Sequence, residues 1–315
     1  MIPQNKEVRF EVTTFCNYKC VFCKNPVLQR EKEVMTIELF RYLFDKIIKE
    51  TDQYNSFSFA GLGEPLLDRG LEEKVKYVRN KDFYYDIPMV TNGYLLTLDR
   101  FLALQDAGVD KLRISFHGLT YGKYARVHGV HNDNYGVVLE NIKNILNLED
   151  RKTKLLITHV VMEEFTDEYK KDFLELFNFN GKEPELIEAW SPHNWASSFD
   201  YGKVENERLN TCGRVFEGPL QVQVDGTVNL CCFDHDGALT VGSLKNNTLE
   251  EIFTSEEYKA IAKRHVTGNF HNSNLICEKC DQRNAHKAGA CLYSSKYDLT
   301  ERTNLTSTSY EKIKK

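Results

Sequence analysis

Cys16-Asn17-Tyr18-Lys19-Cys20-Val21-Phe22-Cys23 puts three thiols on one short stretch with the spacing C-x3-C-x2-C. It follows directly on Val8-Arg9-Phe10-Glu11-Val12, whose alternation predicts a strand. Three thiolates on a loop at a strand end can hold three corners of an iron–sulfur cubane and leave the fourth metal open. An open coordination position separates a catalytic metal site from a closed one. From spacing alone, a three-cysteine zinc site stays open as the alternative.

Outward from this stretch, the chain of 315 residues carries nine cysteines, at 16, 20, 23, 212, 231, 232, 277, 280 and 291, with none between 24 and 211. Clustering at the two ends of a long chain favours metal ligation over a disulfide framework, and soft thiolates favour iron–sulfur or zinc. The formal charge of −5 gives no basic field for nucleic acid. No apolar run approaches the roughly 20 residues of a membrane span. The start, Met1 to Lys6, lacks a signal-peptide core. The expectation is a cytoplasmic protein with neither membrane nor nucleic acid as a partner.

The strand at Val8–Val12 opens an alternation of short apolar strands and amphipathic helices. Helical periodicity over Thr36–Glu50 is followed by a strand at Ser56–Ala60 and a helix at Leu71–Arg79. Strands at Ile87–Thr91, Lys111–Phe116, Leu155–Val161 and Leu186–Trp190 alternate with helices at Asp99–Ala107, Gly136–Leu148 and Asp167–Phe179. Six such repeats predict an α/β fold with a parallel sheet, a partial (β/α)6 TIM-like barrel, with ligands at the carboxyl ends of the strands. Near residue 200 the pattern changes. Asp225-Gly226 between Gln221–Val224 and Thr227–Leu230 predicts a β-hairpin, and a helix is expected over Leu249–His265. The expected division is a barrel at 1–205, a C-terminal β-hairpin plus helix extension at 206–294 and a polar tail at 295–315.

The triad, its place after the first strand and the partial barrel resemble the radical S-adenosylmethionine superfamily, over roughly residues 7–195. The resemblance implies that Cys16, Cys20 and Cys23 hold a [4Fe–4S] cluster whose open iron binds S-adenosylmethionine. One electron then cleaves that cofactor to a 5′-deoxyadenosyl radical, which takes a hydrogen from the substrate. Gly61-Leu62-Gly63-Glu64-Pro65 looks like the family's Gly-Gly-Glu motif, with Leu62 in place of the first paired glycine. By the same resemblance the cofactor-binding residues are Phe22, Gly63, Glu64, Asn92, Ser115 and Arg126. His117, Trp190, His193 and Trp195 fall near strand ends and are candidates for the substrate mouth.

Cys212, the Gly226-x4-Cys231 step and Cys277-Glu278-Lys279-Cys280 resemble the SPASM/twitch extension of that superfamily. The longer SPASM cysteine run is broken, since His286 stands six residues after Cys280. The resemblance therefore implies the shorter twitch type, with one auxiliary [4Fe–4S] cluster on Cys212, Cys231, Cys277 and Cys280. A zinc site on the same four thiols is the alternative. Cys232 and Cys291 are left over, either as inert thiols or as hydrogen donors to a substrate radical. Cys232 is expected to point away from Cys231 by strand alternation.

The layout is similar to twitch aminocyclitol dehydrogenases and aminoglycoside epimerases. It implies an oxidoreductase or epimerase acting on a carbinol of a small polar sugar or aminocyclitol, with Asp234, His235 and Asp236 as acid–base candidates. A ribosomal-peptide-modifying enzyme is the alternative. With fifteen residues before Cys16 it is expected to lack an amino-terminal leader-binding domain. An electron donor such as flavodoxin or ferredoxin is the implied protein partner.

Overall fold

The computed structural model describes residues 2–162, 166–190, 192–196, 198–199, 208–284 and 289–294. Its elements begin with β1 (Glu7–Phe10), α1 (Ile37–Glu50), β2 (Ser56–Phe59), α2 (Leu71–Arg79), β3 (Pro88–Thr91) and α3 (Leu98–Ala107). They continue with β4 (Lys111–Ser115), α4 (Tyr121–His128), α5 (Asp133–Leu146), β5 (Lys154–Val160), α6 (Asp167–Glu175) and β6 (Leu186–Trp190). The remainder is α7 (Arg214–Glu217), β7 (Leu220–Val222), β8 (Thr227–Asn229), β9 (Thr240–Ser243), α8 (Leu249–Thr254), α9 (Glu256–Thr267) and β10 (Gly289–Ser294). Among the described residues, no helix is long and apolar enough to cross a membrane.

These elements form two compact units, one of Met1–Asn17, Lys24–Pro88 and His193–Ala285, the other of Tyr18–Cys23, Met89–Pro192 and His286–Lys315. In the first, strands run in the order β2-β1-β7-β8-β9. β1 pairs in parallel with β2 on one side and with β7 on the other, and β7–β8–β9 is an antiparallel meander. The polypeptide on either side of residue 205 thus shares one sheet. The two faces of β1 differ sharply. Val8 and Phe10 are fully buried under α1, where Phe10 meets Phe40 edge-on at 4.9 Å and Phe44 meets Phe57 at 4.6 Å. The alternate residues Glu7, Arg9 and Glu11 share the other face, each in an ion pair. α1 starts where Thr36 accepts a hydrogen bond from Leu39 N–H, and its stripe of Phe40, Leu43, Phe44 and Ile47 is buried. Each such side chain contributes roughly 1.5–3 kcal/mol on leaving water.

In the second unit, β4, β5 and β6 pair in parallel and β10 joins β6 antiparallel, in the order β3-β4-β5-β6-β10. The segment around Cys291, which was not among the expected strands, is therefore a strand. The helix expected over Leu249–His265 is two helices. Ser255, extended at φ −61° and ψ 156°, ends α8 and caps α9 by accepting from Tyr258 N–H. α4 was not expected; Thr120 caps its start and Gly129, at φ +61°, ends it. The polar tail from 295 lies outside the described residues.

Candidate active site

In the second unit the cysteine loop rests on the end of α4. Lys19 N–H donates to His128 O at 3.1 Å, Val21 N–H to Val127 O at 2.9 Å, and Cys23 N–H to Cys20 O at 3.0 Å. The approach is close enough that a Cβ on Gly129 would stand 2.2 Å from Lys19 O, so only glycine fits there. Tyr18 hydrogen-bonds Tyr124 through their hydroxyls at 3.2 Å. Phe22 is half-buried and meets the His117 ring edge-on at 5.0 Å.

Behind the loop lies a group of buried histidines that sequence reasoning largely missed. His117, placed at the substrate mouth by its strand-end position, is instead 3% exposed and takes Val160 N–H at Nδ1, 3.0 Å. Its own N–H donates to His128 Nε2 at 3.1 Å, and the two rings stack at 4.7 Å. His128 Nδ1 lies 3.4 Å from Cys20 Sγ. His159 bonds Phe116 O and Tyr169 OH. Burial, then the neighbouring His128 and His159, holds His117 well below the ordinary histidine range, and burial with His159 brings His128 down to about 3.

A pH dependence follows. In the unfolded chain these histidines titrate near about 6.5, so below that pH the unfolded state binds more protons than the folded one. The contribution of His128 to stability is complete above about pH 6.5 and falls as pH drops toward about 3, by about 1.4 kcal/mol per unit, and that of His117 has the same sign. Thermal melts of metal-free protein are expected to show a clearly lower Tm at pH 5.5 than at 7.5; equal values would contradict the neutral cluster.

Asn92 follows β3 in an Asx turn, its Oδ1 accepting Tyr94 N–H at 3.0 Å, with Gly93 at φ +78°. Ser115 ends β4 in register with Thr158 and, through it, with Glu188. Glu188, 2% exposed, accepts from Thr158 Oγ1 and from Arg113, so Arg113, Thr158 and Glu188 form a polar set that the alternation of β4 alone did not identify. Arg126 is on the exposed face of α4. Cys291 pairs in β10 with Glu188, but its side chain is outside the described ones.

In the first unit, Cys16 follows a segment bound to the glycine turn. Glu64 N–H donates to Phe15 O at 2.8 Å, and a Cβ on Gly63 would stand 2.1 Å from Thr13 O. Glu64 is 3% exposed, with one carboxylate oxygen accepting Leu66 N–H at 3.1 Å. Asn25 Nδ2 ties the turn to the segment before Cys16, donating to both Leu62 O and Thr14 O at 2.8 Å.

The same unit brings Cys212, Cys231, Cys277 and Cys280 to one small pocket, together with Arg214, His265 and Arg283. Among the described residues no three His, Cys, Asp or Glu side chains gather onto a single ion. Four thiols spread around a pocket would suit a four-iron cluster, one per iron. His265 supplies a further sign of fit. It is 1% exposed, its Nδ1 is 2.9 Å from Thr211 Oγ1, and its buried Nε2 meets no hydrogen-bond partner among the described residues. Burial, then Cys212 and Cys280, pushes the Cys277 thiol up to about 12, and burial with Cys232 holds Cys231 well above the ordinary thiol range. Metal ligation would have to displace those protons, as thiolate ligation does. Burial opposes the charge on Arg214, and the thiols of Cys232, Cys231 and Cys212 outweigh it.

Two sequence readings change here, the strand alternation at Cys232 and the role of Asp234. β8 ends at Asn229, so Cys231 and Cys232 are in a turn and strand alternation does not apply. Cys232 is absent from the residues that line the pocket. Asp234, 6% exposed, uses its two carboxylate oxygens on Ala238 N–H and Leu239 N–H, which makes it a brace for the turn rather than an acid–base group. Asp236 accepts Gln29 N–H.

Comparison with known proteins adds to this geometry. The profile of the Radical SAM superfamily matches residues 10–177, and that of SPASM, an iron-sulfur cluster-binding domain, matches 212–281. A probable GTP 3′,8-cyclase of Saccharolobus islandicus (strain L.S.2.15 / Lassen #1) is 32% identical over 184 residues, 58% of this chain and 56% of that protein. GTP 3′,8-cyclase of Aquifex aeolicus (strain VF5) is 27% identical over 220 residues, 67% and 65% of the two. The chain thus matches less than two thirds of these relatives' length. Among solved structures, BtrN in complex with AdoMet and 2-DOIA gives a TM-score of 0.58 at 18% identity, over 89% of this chain and 94% of that one. SuiB of Streptococcus suis bound to precursor peptide SuiA gives 0.62 at 13%, over 88% and 70%. These two likenesses show the fold, an α/β partial TIM-like barrel with a C-terminal extension.

Proposed function

This chain belongs to the radical SAM superfamily and carries a SPASM iron–sulfur domain, and on that premise we propose that it oxidises a carbinol carbon of a small polar substrate of the sugar or aminocyclitol kind. When bound, S-adenosylmethionine and two [4Fe–4S] clusters supply a hydrogen-abstracting radical and a one-electron acceptor. Cys16, Cys20 and Cys23 would hold the first cluster and leave one iron for the cofactor. Glu64, Asn92, Ser115 and Arg126 are the proposed polar contacts to that cofactor. Cys212, Cys231, Cys277 and Cys280 would hold the second, with Arg214 and Arg283 offsetting thiolate charge. A flavodoxin or ferredoxin would provide the reducing electron.

One observation carries the oxidative reading: four thiols line the auxiliary pocket. Four protein thiolates saturate a four-iron cluster, so no coordination position remains for substrate, and electron transfer is the role left to it. Converting a carbinol to a carbonyl removes one hydrogen atom, one proton and one electron, which calls for such an acceptor. A nucleotide substrate is the second reading, favoured by the 184-residue relation to proteins named GTP 3′,8-cyclase.

The test is product analysis with anaerobically reconstituted protein in deuterated water, offering aminocyclitols, aminosugars and GTP separately. A ketone, with one 5′-deoxyadenosine per product, is expected from one of the first two. Solvent deuterium at an intact carbinol carbon would overturn oxidation in favour of epimerisation. Turnover of GTP alone would select the nucleotide.

A further inference from the structure

His128 has a use that the assignment of cluster ligands leaves open. We infer that its neutral imidazole donates a hydrogen bond from Nδ1–H to the Cys20 thiolate and so makes the cluster held by the triad easier to reduce. This rests on the reading of Cys20 as a cluster ligand.

The polarity of the bond comes from the other side of the ring. Nε2 receives the backbone N–H of His117 at 3.1 Å and therefore presents a lone pair. In a neutral imidazole the proton is then on Nδ1. That nitrogen lies 3.4 Å from Cys20 Sγ, a normal length for a donor to sulfur. The tautomer is thus set by a main-chain donor whose direction cannot reverse. His117 is itself held in place, its Nδ1 accepting Val160 N–H at 3.0 Å.

The ring has little freedom to leave. It is 0% exposed and stacks on His117 at 4.7 Å with 7° between planes. It also packs against Tyr124 at 4.1 Å and meets Tyr18 edge-on at 5.2 Å. The His128 carbonyl accepts Lys19 N–H, so backbone and side chain of one residue grip the cysteine loop at neighbouring points. A hydrogen bond to a ligating sulfur withdraws electron density from it, which stabilises the more negative, reduced cluster and raises its potential. His128 is a positioning and tuning residue; it touches a ligand, not the reacting atoms.

A purely structural histidine and a donor to the cluster differ in what they do to a potential. Anaerobically reconstituted wild type, His128→Leu and His128→Asn are titrated with dithionite and redox mediators under EPR. The signal of the triad cluster is identified by its change on adding S-adenosylmethionine. In His128→Leu that signal is expected to appear at a more negative potential while the auxiliary signal stays in place. His128→Asn, which keeps an N–H near the Nδ1 position, is expected to recover most of the shift. A wild-type potential in His128→Leu overturns the inference. Because the site is buried, a second measurement uses the unaltered protein. ENDOR of the reduced triad cluster, with histidine alone labelled with 15N, is expected to show a weak nitrogen coupling. No coupling overturns the inference even if the variants fail to fold. A wild type with no cofactor-responsive cluster instead overturns the triad assignment itself.

Discussion

Cys23→Ala protein, reconstituted anaerobically with iron and sulfide, is expected to form no 5′-deoxyadenosine and to hold about four irons per chain where the wild type is expected to hold about eight. The triad offers three thiolates for four irons. Loss of one leaves two irons without protein ligands and the cluster open to loss. Cys23 is the informative choice because its main chain is already fixed: its N–H donates to Cys20 O at 3.0 Å, and the loop is tied to α4 through Lys19 and Val21. Alanine there removes a sulfur and keeps the turn, so the missing activity reports ligation rather than unfolding. Cofactor cleavage that persisted in Cys23→Ala would refute the assignment of all three cysteines, since they are assigned by one spacing.

The double variant Cys277→Ala/Cys280→Ala gives the complementary outcome. It is expected to fall to about four irons, keep cleaving the cofactor and lose product altogether. Both thiols are buried, and they enter the pocket from one short turn in which Cys280 N–H donates to Cys277 O at 3.4 Å. Without them Cys212 and Cys231 cannot retain a cluster, and the electron released on oxidation has no acceptor. Unchanged product with halved iron would refute the oxidative role. Unchanged iron would refute the ligand set.

Much of this was legible in the sequence. Short C-x3-C and C-x2-C intervals drew attention to the triad and to Cys277 and Cys280, because they constrain where thiols can go whatever the rest of the fold does; Cys212 and Cys231 entered only through the resemblance to the SPASM/twitch extension. The six strands of the βα alternation, the hairpin strands and most helices followed from periodicity, with Thr36, Thr97 and Thr166 at helix starts, each side chain accepting a hydrogen bond from the N–H three residues on. What escaped is what depends on distant chain segments meeting. His128 sits on an eight-residue helix with too few turns to show a pattern, and its partner Cys20 is 108 residues away. His117 appeared at a strand end and hence near ligands, whereas its hydrogen bonds turn it into the interior. Asp234 looked like a solvated acid until its two backbone donors were seen. Ser255 split a helix because a capping hydroxyl competes locally with the continuing ladder, which hydrophobic spacing does not register.

The pairing of β7 with β1 has a bearing on how this protein can be taken apart. β1 is flanked on one side by β2 and on the other by β7, a strand that the chain supplies more than 200 residues later. A fragment ending near residue 205 would leave the backbone donors and acceptors of Val8, Arg9 and Phe10 bare along an exposed sheet border, a template for strand-to-strand aggregation. The iron–sulfur extension is therefore also the cover of that border. The sheet it continues ends at β9, four residues long with Gly242 in it, which offers a neighbouring molecule far less to pair with.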